Sequence, residues 1–298
     1  MREWSAEVTV DAGLVTRLIR EQFPDVELRS INLLGEGWDN TMWLVDDEWV
    51  FRFPRRSYVL TGILNELRLL PGLAPLLPLP IPVPELVGEP SGVFPWPFYG
   101  CRLLPGVELA DADLDEAALT RLARPLAEFL RALHGLDLGA DLPVDPVGRA
   151  DMTVRVPRAR QYLEEVVGLG LWRPPAVVDE LLEAALRLPP AEPTATCHGD
   201  LHLRHLLVDD GGEPTGVIDW IDLSRNDPSV DLVLYWAALP PQGRSEFLDV
   251  YGDVTDEQLL RARVLTLFLC GVLAVYGEHE RRPTLKRAAV EGLARTCR

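Results

Sequence analysis

Two aspartates and a histidine between them, Asp200, His205 and Asp219, lie within one short stretch of the chain. Phosphoryl transfer needs a carboxylate that orients the attacking hydroxyl and takes its proton, and separate ligands that hold Mg²⁺ on a triphosphate. Positioning and charge neutralisation account for most of the catalysis. Asp200 suits the first role and Asp219 the second, so phosphoryl transfer is the chemistry that this stretch favours.

Short apolar runs predict the elements that would position these side chains. Residues 206–208 and 217–218 have the pattern of two buried strands, and the turn residues between them predict a hairpin. Asp219 would then lie just past the end of the second strand. The loop before the first strand would carry Asp200 and His205 to the same edge.

The same stretch permits a zinc site as an alternative. Three of the five histidines fall in it, at His198, His202 and His205. Asp200 or Asp219 would supply a further ligand. The stretch contains no HExxH pattern, however, and its strand-like end indicates a loop rather than one helix face. His198 is interpreted as a packing residue, and His202 is left open between the substrate side and a structural contact.

The first hundred residues predict a small antiparallel sheet. Turn residues, among them Gly35 and Gly37, separate short strand-like runs. Nine prolines between Pro71 and Pro97 then exclude helix and leave room only for edge strands. The predicted strands cover residues 28–34, 41–45, 49–53, 83–87 and 98–104.

Amphipathic helices dominate the rest of the chain, beginning at 114–134 and continuing at 158–169, at 177–188 and over the last 70 residues. The sequence therefore predicts an α+β fold in two lobes. A small N-terminal lobe covers residues 1–100, a hinge covers 101–106, and a larger helical lobe with the catalytic loop covers 107–298.

Several motifs, taken in order, resemble those of aminoglycoside phosphotransferases, which have the bilobal protein-kinase-like fold. His198–His202 and Val217–Trp220 resemble the catalytic and metal-binding segments of that family, and Asp227–Leu232 resembles its downstream Asp-Pro-x-x-Asp-Leu segment. Leu34–Asn40 resembles the nucleotide loop, and Val50–Pro54 resembles the third strand. Each motif alone is weak, but the ordered set is specific and spans most of the chain.

The resemblance implies that Asp200 is the catalytic base and that His205 and Asp219 bind Mg²⁺. Kinases of this fold usually have asparagine where His205 stands, and Mg²⁺ prefers oxygen ligands to imidazole. Histidine at this place is similar to the aminoglycoside 2″-phosphotransferases, which favours an active enzyme of that type or of the macrolide phosphotransferase type.

For the nucleotide, the resemblance implies that Arg52 contacts the phosphates and pairs with Glu66 on the following helix. The family usually has lysine on this strand, and Arg52 keeps the charge with a different geometry. Gly35 and Gly37 would let backbone amides approach the phosphates.

The hinge of the family implies two further nucleotide contacts. Cys101 and Leu103 would lie against the purine base of ATP or GTP. Trp38 and Trp43, near the nucleotide loop, are interpreted as core residues rather than as groups that stack on the base.

Composition limits the partners and the compartment. The net charge is −17, from 46 acidic and 29 basic residues, which disfavours nucleic acid and favours a cationic small molecule. Four scattered cysteines without a CxxC spacing fit a reducing cytoplasm. The longest apolar run, Val264–Gly277, is shorter than a membrane span and predicts a buried helix. No membrane partner is expected, and the oligomeric state stays open.

These observations predict a cytoplasmic small-molecule kinase that transfers the γ-phosphate of ATP or GTP to a hydroxyl group. An aminoglycoside- or macrolide-like cationic antibiotic is the first expected acceptor, which would make the enzyme a resistance factor. The alternatives are a metabolic hydroxyl kinase acting on a sugar, an amino alcohol or choline, and a catalytically weak kinase-like binding protein.

Overall fold

The computed structural model divides the chain into two compact units. It describes residues 7–37, 39–139 and 142–298. The first unit comprises the chain up to Leu76 and Pro80–Leu104, and the second comprises Leu77–Leu79 and Pro105–Arg298. The change from Leu104 to Pro105 lies inside the segment predicted as a hinge. The functional assignment of the units stays a prediction.

The first unit is built on a five-stranded antiparallel sheet. Its strands are β1 (Ile31–Glu36), β2 (Asn40–Val45), β3 (Trp49–Pro54), β4 (Leu86–Gly88) and β5 (Phe98–Arg102), and its helices are α1 (Ala12–Gln22) and α2 (Leu60–Leu73). The strand order is β1-β2-β3-β5-β4. The predicted meander of the first three strands is therefore confirmed, and both strands of the proline-rich region lie on one side of it.

An aromatic core holds the first unit together. The Phe53 ring stacks on Phe98 with centroids 4.6 Å apart and meets the edge of Phe94 at 5.6 Å. The apolar face of α1 and the side chain of Trp43 belong to the same buried cluster. Trp43 is thus a core residue, as predicted, whereas Trp38 lies outside the described residues.

The second unit contains eight helices and five short strands among its described residues. The strands are β6 (Val107–Glu108), β7 (Ala195–Cys197), β8 (Leu206–Val208), β9 (Pro214–Val217) and β10 (Ser224–Asn226). The helices are α3 (Glu116–Arg121), α4 (Ala123–His134), α5 (Met152–Gly168), α6 (Val177–Ala185), α7 (Val233–Ala237), α8 (Pro241–Tyr251), α9 (Asp256–His279) and α10 (Pro283–Thr296).

Helix α9 forms the centre of the second unit, where it packs against α5 and α10. A capping box between Thr255 and Gln258 starts the helix, because each side chain bonds the backbone N–H of the other residue. Among the described residues, α9 alone is long and apolar enough to cross a membrane, and 67% of its most apolar window is buried inside the protein. The buried helix predicted at Val264–Gly277 is therefore confirmed.

Two helices of this unit differ from their predicted bounds. The helix predicted over 114–134 is divided at Leu122, and Pro125, which lacks an N–H, lies in the first turn of the second helix, where proline is best tolerated. Helix α5 begins six residues earlier than predicted, at Met152. The Asp151 carboxylate caps it by accepting the Thr153 N–H at 2.8 Å, and the helix continues through Pro157.

We expect Phe98→Ala to lower the free energy of unfolding by about 3–5 kcal/mol, because Phe98 is fully buried and its loss leaves a cavity in the aromatic core. Urea unfolding followed by tryptophan fluorescence measures this change. Leu76→Ala is the matched control, since Leu76 is 54% exposed and its truncation should cost less than about 0.5 kcal/mol. Equal effects of the two substitutions would contradict this account of the core.

Candidate active site

The hairpin of β8 and β9 carries the predicted catalytic stretch. Leu206 pairs with Val217, and the Ile218 N–H donates to the His205 carbonyl at 2.9 Å, which extends the pairing to the mouth of the hairpin. Asp219 follows two residues after the last residue of β9, with φ of 66°. A left-handed backbone is uncommon for aspartate and occurs where the surroundings impose it, often at functional sites.

His205 connects the two aspartates. Its Nδ1 lies 2.7 Å from the backbone oxygen of Asp200, and its Nε2 lies 3.5 Å from Oδ2 of Asp219. The carbonyl can only accept, so Nδ1 donates its proton there, and Nε2 is the ring nitrogen that faces the Asp219 carboxylate. Oδ2 of Asp200 lies 3.7 Å from Nδ1. The structure thus brings these three predicted residues together.

Arg149 is a member of this site that the sequence analysis missed. Its Nη1 lies 2.8 Å from Oδ1 of Asp200, and its Nη2 lies 2.6 Å from Oδ2 of Asp222. Arg149 precedes Asp200 by 51 residues and belongs to no motif, so no local pattern signals the contact. Asp222 lies in a turn, and its carboxylate is engaged in this ion pair. A structural role is the simpler interpretation of this residue.

The charges of the site set the protonation of its groups. Burial alone would raise the pKa of Asp200, but the Arg149 guanidinium and the nearby histidines outweigh it and hold that pKa well below the usual range. Burial, together with the proximity of His205, lowers the pKa of His202 to about 3. Asp200 is therefore ionised and His202 neutral at physiological pH.

The hydrogen bonds of His198 and His202 disfavour a zinc site. Asp200, His202 and His205 do place one ligand atom each within 4.8 Å of one another. However, Nδ1 of His202 accepts the Arg204 N–H at 3.2 Å, so its Nε2 carries the proton of the neutral ring. Both ring nitrogens of His198 are engaged, with Asp200 N–H at 3.2 Å and the Ile218 carbonyl at 3.0 Å.

A buried carboxylate holds the backbone of the catalytic loop. Asp231 accepts the N–H groups of His198 and Gly199, each at 2.8 Å, and lies 3.0 Å from Nε2 of His134. Asp227 caps the turn before it by accepting the Ser229 N–H at 2.9 Å. The interpretation that Asp231 braces this loop is therefore confirmed, whereas Asp227 caps the neighbouring turn and not the loop itself.

Gly199 lets two loops of the site touch. Its φ is +86°, and a Cβ at this position would lie 2.4 Å from the backbone oxygen of Asp222. Glycine is therefore required here for both its conformation and its lack of a side chain. The contact fixes the distance between the loop of Asp200 and the loop of Asp222.

In the first unit, Arg52 and Glu66 form a buried ion pair. Nη1 of Arg52 lies 2.9 Å from Oε1 of Glu66, and the Tyr99 hydroxyl donates to Oε2 at 3.2 Å. The side chains of the pair are 8% and 0% exposed. The structure thus places the two residues in contact, while their role toward a nucleotide stays a prediction.

The two glycines of the predicted nucleotide loop lie at the hairpin between β1 and β2. Gly35 falls at a bulge of β1, and the Gly37 N–H donates to the Asn40 carbonyl at 2.9 Å. A Cβ on either glycine would be 3.5 Å from its nearest neighbour, an ordinary contact, and neither has a positive φ. The packing of the unit itself therefore does not require glycine at these positions.

The predicted hinge residues have different surroundings. Cys101 is buried in β5, where burial raises the pKa of its thiol to about 12, and its Sγ lies 3.6 Å from the Val50 carbonyl. Leu103 follows the strand and is 40% exposed, and its N–H donates to the Glu48 carbonyl at 2.8 Å. The side chain of Leu103 is thus available for contact, whereas that of Cys101 is not.

A Mg²⁺ ion fits the donors around Asp219 in part. Asp219 offers a carboxylate oxygen, the kind of ligand that Mg²⁺ prefers, and His205 directs its Nε2 to the same place. Mg²⁺ commonly keeps several waters and takes substrate phosphates as ligands, so two protein ligands are enough.

Comparison with known proteins identifies the family. The model of the phosphotransferase enzyme family, APH, matches residues 30–265, so the chain belongs to this family. Among curated proteins, an uncharacterized protein of Bacillus subtilis (strain 168), YcbJ, is 25% identical in an alignment of 262 positions that covers 80% of this chain and 79% of the relative.

Solved structures of aminoglycoside and macrolide kinases have the same fold. The GDP and kanamycin complex of APH(2")-IIia is 27% identical, with a TM-score of 0.67, over 95% of this chain and 97% of the other. The GDP complex of wild-type aminoglycoside 2'-phosphotransferase-IIIa is 25% identical, with a TM-score of 0.66, over 97% and 99%. Macrolide 2'-phosphotransferase MphH from Brachybacterium faecium, at 23% identity and a TM-score of 0.59 over 94% and 97%, shares the fold.

The family and these structures confirm three predictions made from the sequence: the aminoglycoside phosphotransferase family, a kinase-like α+β fold, and a phosphotransferase enzyme. The roles of individual site residues stay predictions.

We expect Asp231→Asn to lower the free energy of unfolding by about 1–3 kcal/mol, because one acceptor oxygen is lost opposite two buried N–H groups and His134. Burial alone would raise the pKa of Asp231, but the His134 hydrogen bond and the neighbouring charges lower it. A lowered folded-state pKa gives stability that is present above the unfolded-state pKa and lost as the pH falls through the folded-state pKa.

The stability difference between wild type and Asp231→Asn should therefore be full near pH 7 and shrink toward about pH 3. Urea unfolding at a series of pH values measures it. Asp253→Asn, an exposed substitution, should change little at any pH. A difference that grows toward acid pH would contradict the assigned hydrogen bonds.

Proposed function

We propose that this phosphotransferase moves the γ-phosphate of ATP or GTP to a hydroxyl of a small molecule, with Asp200 as the catalytic base. One observation carries the proposal: His205 joins Asp200 and Asp219, bonding the backbone of the first and facing the carboxylate of the second. A base and a metal ligand must be this close to act on the same phosphoryl group.

The two oxygens of Asp200 have different surroundings. Oδ1 is paired with Arg149 at 2.8 Å, whereas Oδ2 lies 3.6 Å from His202 and 3.7 Å from His205, beyond hydrogen-bond distance. Oδ2 is therefore the oxygen that orients the acceptor hydroxyl and takes its proton. A base with a lowered pKa suits phosphoryl transfer, because the reaction depends mainly on positioning.

Asp219, with His205, would hold Mg²⁺ on the triphosphate, and the ion would neutralise charge on the transferred group. The left-handed backbone of Asp219 sets its carboxylate opposite Nε2 of His205. The cost of this conformation, on the order of 1–3 kcal/mol, is typical of residues held in place for function.

The first unit would bind the nucleotide. Glu66 and Tyr99 fix Arg52 in its buried position, where it would contact the phosphates. Gly35 and Gly37 would let the β1–β2 hairpin approach the phosphates. This role would explain the two glycines, because the packing of the unit does not require them. Leu103, with the backbone at Cys101, would lie against the purine. Neighbouring enzymes were solved with GDP, so ATP and GTP are both candidates.

The first candidate acceptor is an aminoglycoside- or macrolide-like cationic antibiotic. Its support is the kanamycin bound to one structural neighbour and the net charge of −17, which attracts cations. Such an enzyme would act in the cytoplasm as a resistance factor. The second candidate is a metabolic hydroxyl kinase of the sugar, amino-alcohol or choline type. The pairing of Asp200 with Arg149 favours the sugar type, because a sugar brings no second cation to the site.

We expect Asp200→Asn to reduce phosphoryl transfer by about 10²- to 10⁴-fold, since the amide cannot take the proton of the hydroxyl. Affinity for Mg²⁺ with a non-hydrolysable ATP or GTP analogue, measured by calorimetry, should change little. The control is Asp210→Asn, an exposed aspartate in the turn of the same hairpin. Near-full transfer by Asp200→Asn would show that another residue is the base.

Asp219→Ala should abolish the dependence of nucleotide binding on Mg²⁺, because the carboxylate ligand is lost. Titration of the nucleotide analogue with and without Mg²⁺ measures this dependence. Asp210→Ala should retain it. Unchanged Mg²⁺ dependence in Asp219→Ala would remove Asp219 from the metal site.

A further inference from the structure

The side chain of Arg149 is already paired with two carboxylates of the site, those of Asp200 and Asp222. The Arg149 guanidinium bridges Oδ1 of Asp200 and Oδ2 of Asp222 at 2.8 and 2.6 Å, and its side chain is 17% exposed. Two carboxylates that converge on one point form a site for a cation. In this protein the guanidinium of Arg149 takes the place of such a cation.

The segment that carries Arg149 is held by hydrogen bonds on both sides. The Asp145 carboxylate accepts the backbone N–H of Arg149 at 2.5 Å and that of Ala150 at 3.3 Å. The buried guanidinium of Arg155 donates to the carbonyls of Val147 and Gly148 at 2.7 and 3.0 Å. Arg149 is therefore fixed in position, and moving its charge out of the site would break a well-bonded segment.

The carboxylates are fixed as well. The contact between Gly199 and the Asp222 backbone holds the two acidic loops together, and Asp231 holds Gly199 from the other side. A second buried cation, Arg155, lines the same small cavity as Arg149 and Gly199. Burial and the like charge of Arg149 lower the pKa of Arg155 to about 10. An additional cation in this cavity would thus meet two guanidinium groups.

We propose that Arg149 is a specificity-determining residue that excludes acceptors carrying an ammonium group beside the reacting hydroxyl. This inference rests on the proposed function. An ammonium at this place must displace a guanidinium that makes two charged hydrogen bonds, or stay next to it without a partner carboxylate. The acceptor is therefore neutral around its reacting hydroxyl, as in a sugar or polyol, which favours the sugar type within the second candidate class over its amino-alcohol and choline types.

The test titrates kanamycin, a polycationic amino sugar, into the protein without nucleotide. Wild type should bind it weakly, and Arg149→Met should bind it at least about tenfold more tightly, because two carboxylates lose their internal partner. The matched control is Arg282→Met, which removes a guanidinium bridging Glu108 and Asp111 at 2.8 and 2.6 Å. This control should leave the affinity for kanamycin unchanged.

Equal affinity of wild type and Arg149→Met, or tighter binding by wild type, overturns the proposal. If Arg149→Met does not melt cooperatively, Arg149→Lys replaces it. Lysine keeps the charge but can bond one carboxylate only, so its gain in affinity should be about threefold and smaller than that of methionine. A folded lysine variant that binds kanamycin no more tightly than wild type also overturns the proposal.

The titration requires no phosphoryl transfer, so its outcome is independent of the proposed function. The function fails if wild type neither binds Mg²⁺ with a nucleotide nor transfers phosphate to any sugar, polyol, macrolide or aminoglycoside. The inference fails, with the function intact, if wild type phosphorylates kanamycin with a kcat/KM equal to or above that for neutral sugars.

Discussion

The hydrogen bonds that the buried Asp231 carboxylate accepts from His198 and Gly199 are the constraint on which the site depends. They fix two successive N–H groups immediately before Asp200. The ring of His198 then bonds the Asp200 N–H and the Ile218 carbonyl, so the same fixed residue orients both Asp200 and the strand end that precedes Asp219. A loop without regular structure is thereby held by hydrogen bonds on several sides.

The rigidity has a chemical purpose, because the site contains several charges at short range. Two of its carboxylates share one guanidinium, and Asp219 faces a histidine nitrogen. Small displacements would change these interactions strongly, since electrostatic energies grow as the local dielectric falls. Backbone hydrogen bonds keep the charged groups at fixed distances from one another, independently of the attraction or repulsion between the charges.

The parts of the site that follow from local pattern could be predicted from the sequence. Two apolar runs and a turn define the β8–β9 hairpin, which in turn places Asp219 and His205. The partnership of Arg52 and Glu66 came from the order of motifs. Arg149 could not be predicted, because its segment has neither strand nor helix periodicity and meets Asp200 only through tertiary hydrogen bonds. The local cap by Asp151 also starts α5 earlier than its apolar pattern does.

The net charge of the whole chain and the local charge beside Asp200 act over different distances. A net charge of −17 attracts cations from solution, but salt screens this attraction over roughly 8–10 Å. Contact distances of 2.6 and 2.8 Å are well inside that range, and there Arg149 supplies a positive charge next to Asp222 and Asp200. An acidic kinase can therefore attract a cationic molecule to its surface and still reject an ammonium group at the reacting hydroxyl. The acceptor is selected by the groups in contact with it, so the composition of the chain does not determine its class.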